Sequence, residues 1–326
     1  SRKGILIKGG NYMDALAHID TVVLDKTGTL TQGTFAVEAI HPDSLSEKEL
    51  LHLAAHVEHF SHHPIAVALQ GAYQHVGDGC TTSHVHEVVG KGIVADVNGH
   101  RVAVGNERMM EAEGAALHPC KRCEGHAGTV VHVAIDGRYA GHVVISDQVK
   151  ADASEALRAL RQLGVKQTVM LTGDKEAVAR QVAQQVGIDS YAAELLPADK
   201  VDCVERLIQQ SQEKGALAFV GDGINDAPVL ARADVGIAMG AMGSDAAIDA
   251  ADVVLMDDKP SKIAEAIRIA RRTIANARQN VIFAIVVKAL VLLLASVGVA
   301  TMGMAVFADV GVMVLCVLNS MRTLRV

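Results

Sequence analysis

The sequence predicts an α/β protein. A doubly wound parallel sheet is interrupted by an α+β insert and followed by a hairpin of two membrane helices. Three observations lead there: short apolar runs alternate with helical patterns, histidine is concentrated in one internal stretch, and the C-terminal segment is almost free of charge. Composition sets the outer bounds. Of 326 residues, 50% are hydrophobic and 21% charged, which excludes a disordered chain. The 30 Lys and Arg are outnumbered by 37 Asp and Glu, a net charge of −7. That balance excludes a nucleic-acid partner, whose binding rests on neutralising phosphates with basic side chains. Five scattered cysteines, an odd number, make no disulfide framework, so a reducing compartment is expected.

The elements follow in chain order. Ile19–Leu24, Thr168–Leu171, Leu217–Val220, Val235–Ala238 and Val253–Met256 are short apolar runs that read as buried strands. Between them, Ala151–Leu163 and Glu176–Val186 carry helical periodicity. Strands alternating with helices imply a parallel sheet. Of the 15 histidines, 14 lie between His41 and His142, where alternating runs such as Gly128–Ile135 also occur. Residues 37–143 are therefore expected to be an insert within a discontinuous domain formed by 1–36 and 144–260. A stalk helix over 261–280 and two membrane helices over 281–321 complete the chain. Val281–Ala300 carries only Lys288, and Met302–Leu318 only Asp309. Both runs reach the length a helix needs to cross a bilayer, ~17 to 20 residues. Arg268, Arg271, Arg272 and Arg278 precede the first span, and Arg322 and Arg325 follow the second. Both ends are thus expected on the cytoplasmic side.

Chemistry gathers at the strand ends. Asp25-Lys-Thr-Gly-Thr-Leu-Thr31 follows directly on the first strand, where open α/β sheets place their ligands. Gly28 permits a tight turn, and an Asp carboxylate is a competent nucleophile toward phosphorus. Thr172-Gly-Asp174 follows a second strand and offers a hydroxyl and an amide. Gly221-Asp-Gly-Ile-Asn-Asp-Ala-Pro228 follows a third and brings Asp222, Asn225 and Asp226 to the same edge. Asp25, Asp222 and Asp226 cannot crowd a phosphate without a cation, so Mg²⁺ is required by charge. Lys200 adds a positive charge for the transferring phosphoryl group. No Walker A string occurs, which excludes a P-loop site.

These motifs, in this order, resemble the phosphorylation domain of P-type ATPases, which has a haloacid-dehalogenase-like fold. The resemblance places Asp25, Lys26, Thr27, Thr172, Gly173, Asp174, Lys200, Asn225 and Asp226 in the catalytic set. It makes Asp25 the aspartyl phosphate, with Mg²⁺ held by Asp25, Asp222 and the Thr27 carbonyl. Ser61-His-His-Pro-Ile-Ala66 resembles the Ser-Glu-His-Pro motif of the heavy-metal (type IB) branch, although His62 stands where that branch carries Glu. The insert then corresponds to the nucleotide-binding domain, with Glu58, His63, Gly90 and Gly92 contacting ATP. In the membrane part, Asn280-x₇-Lys288 and Asp309-Val-Gly311 resemble the last two helices of the zinc/cadmium/lead-exporting pumps. An intramembrane carboxylate also suits a borderline divalent ion better than Cu⁺. Asp309 is the expected ligand of the transported Zn²⁺, Cd²⁺ or Pb²⁺, and Lys288 its counter-charge. A Cys-Pro-Cys helix and a Thr-Gly-Glu actuator segment do not occur. The sequence is thus expected to be the C-terminal, catalytic half of a multi-pass protein of a prokaryotic plasma membrane, in contact with lipid and with a missing N-terminal half.

Three other readings compete. A membrane-anchored haloacid-dehalogenase-type phosphatase explains the Asp motifs, but not the hairpin or the His63-Pro64 motif. Those phosphatases carry a second acid two residues after the nucleophile, where Thr27 stands here. A membrane-anchored metal-binding protein built on the histidine-rich insert leaves the strand-end carboxylates without a purpose. Within the insert, His52, His56, His59 and His63 fall at helical spacing and Cys120-Lys-Arg-Cys123 is flanked by histidines. Four N/S ligands make a zinc site, against which stands a plain solvated histidine face.

Overall fold

The computed structural model describes residues 3–61, 63–73, 79–118, 120, 128–210, 215–222, 226–240 and 245–325. In chain order the strands are β1 (Ile5–Ile7), β2 (Ile19–Asp25), β3 (Thr31–Pro42), β4 (Thr82–Val88), β5 (Gly92–Val97), β6 (His100–Gly105), β7 (Thr129–Ile135), β8 (Arg138–Val149), β9 (Gln167–Leu171), β10 (Ser190–Ala192), β11 (Ala216–Gly221), β12 (Val235–Met239) and β13 (Val253–Leu255). The helices are α1 (Gly10–Ala17), α2 (Glu47–Glu58), α3 (Pro64–Ala72), α4 (Glu107–Ala112), α5 (Ala153–Gln162), α6 (Glu176–Val186), α7 (Pro197–Gln210), α8 (Ala227–Arg232), α9 (Asp245–Ala250), α10 (Ser261–Ser296), α11 (Met302–Val306) and α12 (Val312–Ser320).

Two compact units emerge. The first comprises Ser1–Thr29, Ala151–Gly173 and Val186–Val326, the second Leu30–Lys150 and Asp174–Gln185. In the first, seven strands pair in the order β1-β13-β12-β11-β2-β9-β10. All neighbours are parallel except β1, which lies antiparallel on β13. The five apolar runs picked out in the sequence are β2, β9, β11, β12 and β13, the inner part of this sheet. The centre of β2 is apolar because it is covered on both faces: Val22, Val23 and Leu24 are fully buried. The short edge strands β1 and β10 carry too few residues to show a pattern. Val23, Val169, Leu171, Leu217 and Phe219 from the sheet pack on Val204 of α7 and on Val229 and Leu230 of α8.

The second unit is a six-stranded antiparallel sheet of order β3-β8-β7-β6-β5-β4. Its two long strands, β3 and β8, pair from Thr31–Val149 to Pro42–Gly141. Leu50, Val57 and Leu69 of α2 and α3 bury against Val102, Val104, Val133 and Val143 of this sheet. Ser46 and Glu49 start α2 with a reciprocal capping box, which satisfies two donors that a helix start otherwise leaves bare.

α10 joins the first unit to the apolar hairpin without a break. Ile263, Ala264, Ile267 and Ala270 near its N-terminal end are buried, whereas Val281, Ile282, Ile285, Leu292 and Leu293 are exposed. Arg271 fixes the buried half: its guanidinium donates to the carbonyls of Ala17, Leu163 and Ile19, which close α1 and α5 and open β2. The stalk and first span expected from the sequence are thus one 36-residue helix. Residues 261–296 and 302–323 are both long and apolar enough to cross a bilayer, and their most apolar stretches are largely without protein cover. Between the two legs the Asn280 amide donates to the Cys316 carbonyl at 3.2 Å and the Ser320 hydroxyl at 2.8 Å, while Asn319 donates to Asn280 Oδ1 at 2.8 Å. Polar groups of this kind hold helices together where lipid offers no hydrophobic drive.

Candidate functional site: a carboxylate cluster at the strand ends

Asp25 is the last residue of β2 and is only 6% exposed. It lies beside Asp222, which follows β11, and Asp226, which precedes α8, because β2 and β11 are neighbouring parallel strands. Oxygens of the three carboxylates come within 4.8 Å of one another. Lys200, from the first turn of α7, donates to Asp25 Oδ1 at 2.5 Å and to Asp226 Oδ1 at 3.0 Å. The Lys200 ammonium thus bridges two of the three acids.

The turn after β2 is shaped to admit this crowding. Gly28 has φ +72°, and a Cβ there would overlap the Asp222 carboxylate. Gly221 does the same for Asp226, whose Oδ2 would stand 2.7 Å from an added Cβ. Both glycines are needed for space, and Gly28 for backbone freedom as well. Lys26 and Thr172 are buried. Thr172 follows β9, with its amide donating to the Ala192 carbonyl at 3.0 Å, and Gly173 follows in the same unit. Asp174 begins the segment grouped with the second unit. Thr27 is extended, φ −73° and ψ 131°. The Thr29 hydroxyl is fully buried and has no hydrogen-bond partner among the described residues, so it waits for water or a ligand. Asn225 lies outside the described residues.

Burial, followed by the neighbouring charge of Asp226, pushes the Asp25 carboxyl up to about 7 against the opposing pull of Lys200. Burial works against the Lys200 ammonium, but attraction to Asp25 and Asp226 outweighs it and raises its pKa. A hard divalent cation with oxygen ligands fits this donor set and relieves the repulsion.

In the second unit, Glu58 ends α2 and His63 caps α3, accepting at Nδ1 from the Ile65 amide at 3.3 Å. The turn between them is closed by the Ser61 amide on the Glu58 carbonyl, 3.0 Å, and the His63 amide on Ser61 Oγ, 3.1 Å. His62 lies outside the described residues. The two glycines of Gly90-Lys-Gly92 differ in kind. Gly90, φ +72°, faces open space, as close approach of a ligand to the backbone requires. At Gly92 a Cβ would overlap the Val104 carbonyl on β6, so that glycine serves the sheet. Nothing in the Gly-Lys-Gly string separates these roles.

In the hairpin, Lys288 Nζ and Asp309 Oδ1 are 2.9 Å apart. Asp309 sits in a widened helical turn, Phe307–Gly311, joining α11 to α12, and such π-turns gather at functional positions. Gly311 leaves room there for the Phe307 ring, which an added Cβ would meet at 2.6 Å. The asparagine pairing around Asn280 and Asn319 was missed in the sequence, although amides in an apolar run are themselves a signal.

Residues 19–234 match the haloacid dehalogenase-like hydrolase family. Over 324 residues the chain is 52% identical to a zinc-transporting ATPase of Synechocystis sp., covering 99% of this chain and 44% of that protein. It is 50% identical over 326 residues to a cadmium, zinc and cobalt-transporting ATPase of Bacillus subtilis, covering 100% and 46%. The chain thus spans about half the length of the curated relatives it matches. A crystal structure of a zinc-transporting PIB-type ATPase in the E2.Pi state superposes with a TM-score of 0.88 at 39% identity, over 99% of this chain and 53% of that one.

Glu58 supplies a test of the second unit. It is 6% exposed, and burial together with Glu87 raises its carboxyl from 4.5 to about 7. The folded state therefore holds a proton that the unfolded chain releases, and stability falls as pH climbs from about 4.5 through about 7. Glu58→Gln should stabilise the protein at pH 8 by up to about 3 kcal/mol, since each tenfold change in proton affinity between folded and unfolded states is worth ~1.4 kcal/mol. The gain should vanish at pH 4, as read from thermal midpoints at the two pH values.

Proposed function

The chain belongs to the haloacid dehalogenase-like hydrolases and, within them, to the heavy-metal P-type ATPases, and on that premise we propose that it is the catalytic half of an ATP-driven exporter of Zn²⁺, Cd²⁺ or Pb²⁺. The observation that carries this reading is the buried Asp25 held by Lys200 at 2.5 Å beside Asp222 and Asp226. The first unit up to residue 260 serves as the phosphorylation domain and Leu30–Lys150 as the nucleotide-binding insert, wider than the 37–143 expected from the sequence because β3 and β8 pair from Thr31–Val149 to Pro42–Gly141.

In this reading an Asp25 carboxylate oxygen attacks the γ-phosphorus of ATP. A new P–O bond forms, the bond to the β–γ bridging oxygen breaks, and ADP leaves with that electron pair. Lys200 sits against the same carboxylate and offsets charge on the transferring oxygens. The Thr172 hydroxyl and the Gly173 amide orient those oxygens, and Lys26, Asp174, Asn225 and Asp226 complete the edge. Asp25, Asp222 and the Thr27 carbonyl would hold Mg²⁺, which neutralises phosphoryl charge when bound. Water later attacks the acyl phosphate and restores the carboxylate. Glu58, His63 and Gly90 hold the adenosine end, while Gly92 lets β5 lie close against β6.

Asp309 is the metal ligand of the ion path, with Lys288 as its counter-charge when the ion is away. A lone mid-bilayer carboxylate is too costly to leave bare, and the 2.9 Å pair answers that need. Binding a divalent ion displaces the ammonium and biases the packed helix pair. The protein then works as a multi-pass component of a bacterial plasma membrane together with an N-terminal half. The phosphatase alternative leaves the unburied apolar hairpin unexplained.

Two outcomes test this reading in a complete pump containing the sequence. With γ-labelled ATP and Mg²⁺, the wild type should form an acid-stable, hydroxylamine-sensitive phosphoenzyme and Asp25→Asn none, since an amide does not attack phosphorus. Equal labelling of both would remove Asp25 from the reaction. Asp309→Asn should depress Zn²⁺- or Cd²⁺-stimulated phosphorylation at least tenfold while leaving ATP binding unchanged. Normal transport by that variant would contradict the assignment of the ion path.

A further inference from the structure

Outside the phosphoryl site, the histidine-rich unit brings together a second set of ligand atoms. His52 and His56 lie one turn apart on α2, with ring centroids 4.6 Å apart. Cys80, which precedes β4, approaches from another part of the chain, and its Sγ stands 3.0 Å from His52 Nε2. One ligand atom from each of the three residues falls within 4.8 Å of the others. The row His52, His56, His59 and His63 suggested by helical spacing does not converge. His59 packs its ring edge-on against Phe60 at 5.5 Å, and His63 turns to cap α3.

We propose that His52, His56 and Cys80 form a binding site for a borderline divalent cation of the Zn²⁺ class, separate from both the phosphoryl site and the ion path. Two imidazoles and a thiolate are a common ligand set for such ions, tetrahedral with a fourth position open. Two further contacts fit ligation and serve no sheet or helix. His52 Nδ1 lies 2.9 Å from the Tyr73 hydroxyl; donating there fixes the tautomer that turns the Nε2 lone pair toward Cys80. The Asn98 side-chain amide donates to Cys80 Sγ at 2.9 Å and so fixes the position of the sulfur. His56, Tyr73 and Cys80 also line a cavity of about 260 Å³ that His59 borders, which leaves room for the fourth ligand. On binding, the Cys80 thiol gives its proton to solvent as the metal–sulfur bond forms.

Co²⁺ alone, titrated into the intact detergent-solubilised chain, reads the site through the near-ultraviolet thiolate-to-cobalt band. The wild type should develop that band with one equivalent, and Zn²⁺ should bleach it. Cys80→Ser should abolish it. His56→Ala should weaken binding at least tenfold. Tyr73→Phe should keep the band and weaken binding about tenfold to a hundredfold, the usual effect of losing an outer hydrogen bond. Absence of the band in the wild type overturns the site. So does a band that survives Cys80→Ser but disappears in Cys120→Ser/Cys123→Ser.

Discussion

Three carboxylates and one ammonium at the ends of adjacent parallel strands set the terms for the first unit. Asp25, Asp222 and Asp226 gather within 4.8 Å, an arrangement that loses energy to repulsion and desolvation wherever no cation is bound. The fold tolerates it through details that are otherwise hard to explain. Glycines stand where any Cβ would strike a carboxylate, at Gly28 and Gly221. Lys200 arrives from the first turn of α7 to bridge two of the acids. The fully buried apolar strands β2 and β11 hold the geometry, because a packed core does not yield to a local charge imbalance. The edge thus carries a charge imbalance that a bound divalent cation would relieve.

The same tension recurs in the other parts of the chain. Glu58 is buried beside Glu87 with its carboxyl raised to about 7, a second place where folding opposes a charge that a ligand could use. In the hairpin, Lys288 and Asp309 neutralise each other at 2.9 Å. Arg271 ties α10 to the carbonyls around β2, and the same continuous helix carries Lys288. One continuous helix therefore runs from the carbonyls around β2, which ends in Asp25, to the Lys288–Asp309 pair.

Much of this was legible in the sequence because burial on both faces makes parallel strands read as apolar runs, and β2, β9, β11, β12 and β13 did. The two long apolar helices of the hairpin were visible because charge is nearly absent from both stretches. What stayed hidden depends on contacts between distant residues. The edge strands β1 and β10, three residues each, gain their identity only from a neighbour. Helical spacing grouped His52 and His56 with His59 and His63, whereas the fold pairs them with Cys80, 24 residues or more along the chain. Gly90 and Gly92 look alike as letters, yet one faces open space and the other the Val104 carbonyl. Asp25 and Asp226 could be chosen from the motifs that follow apolar strands, but that Lys200, in the first turn of α7, bridges them is a fact of packing.

The repulsion at the strand ends is measurable as stability. Thermal midpoints of the wild type and of Asp222→Asn, each in chelator and in saturating Mg²⁺ at pH 8, test it most directly. Removing one acid should raise the midpoint in chelator, since repulsion against Asp25 and Asp226 is relieved, and should abolish the stabilisation that Mg²⁺ gives the wild type. An Asp222→Asn protein that melts lower than wild type in chelator and still gains the full Mg²⁺ shift would contradict the account.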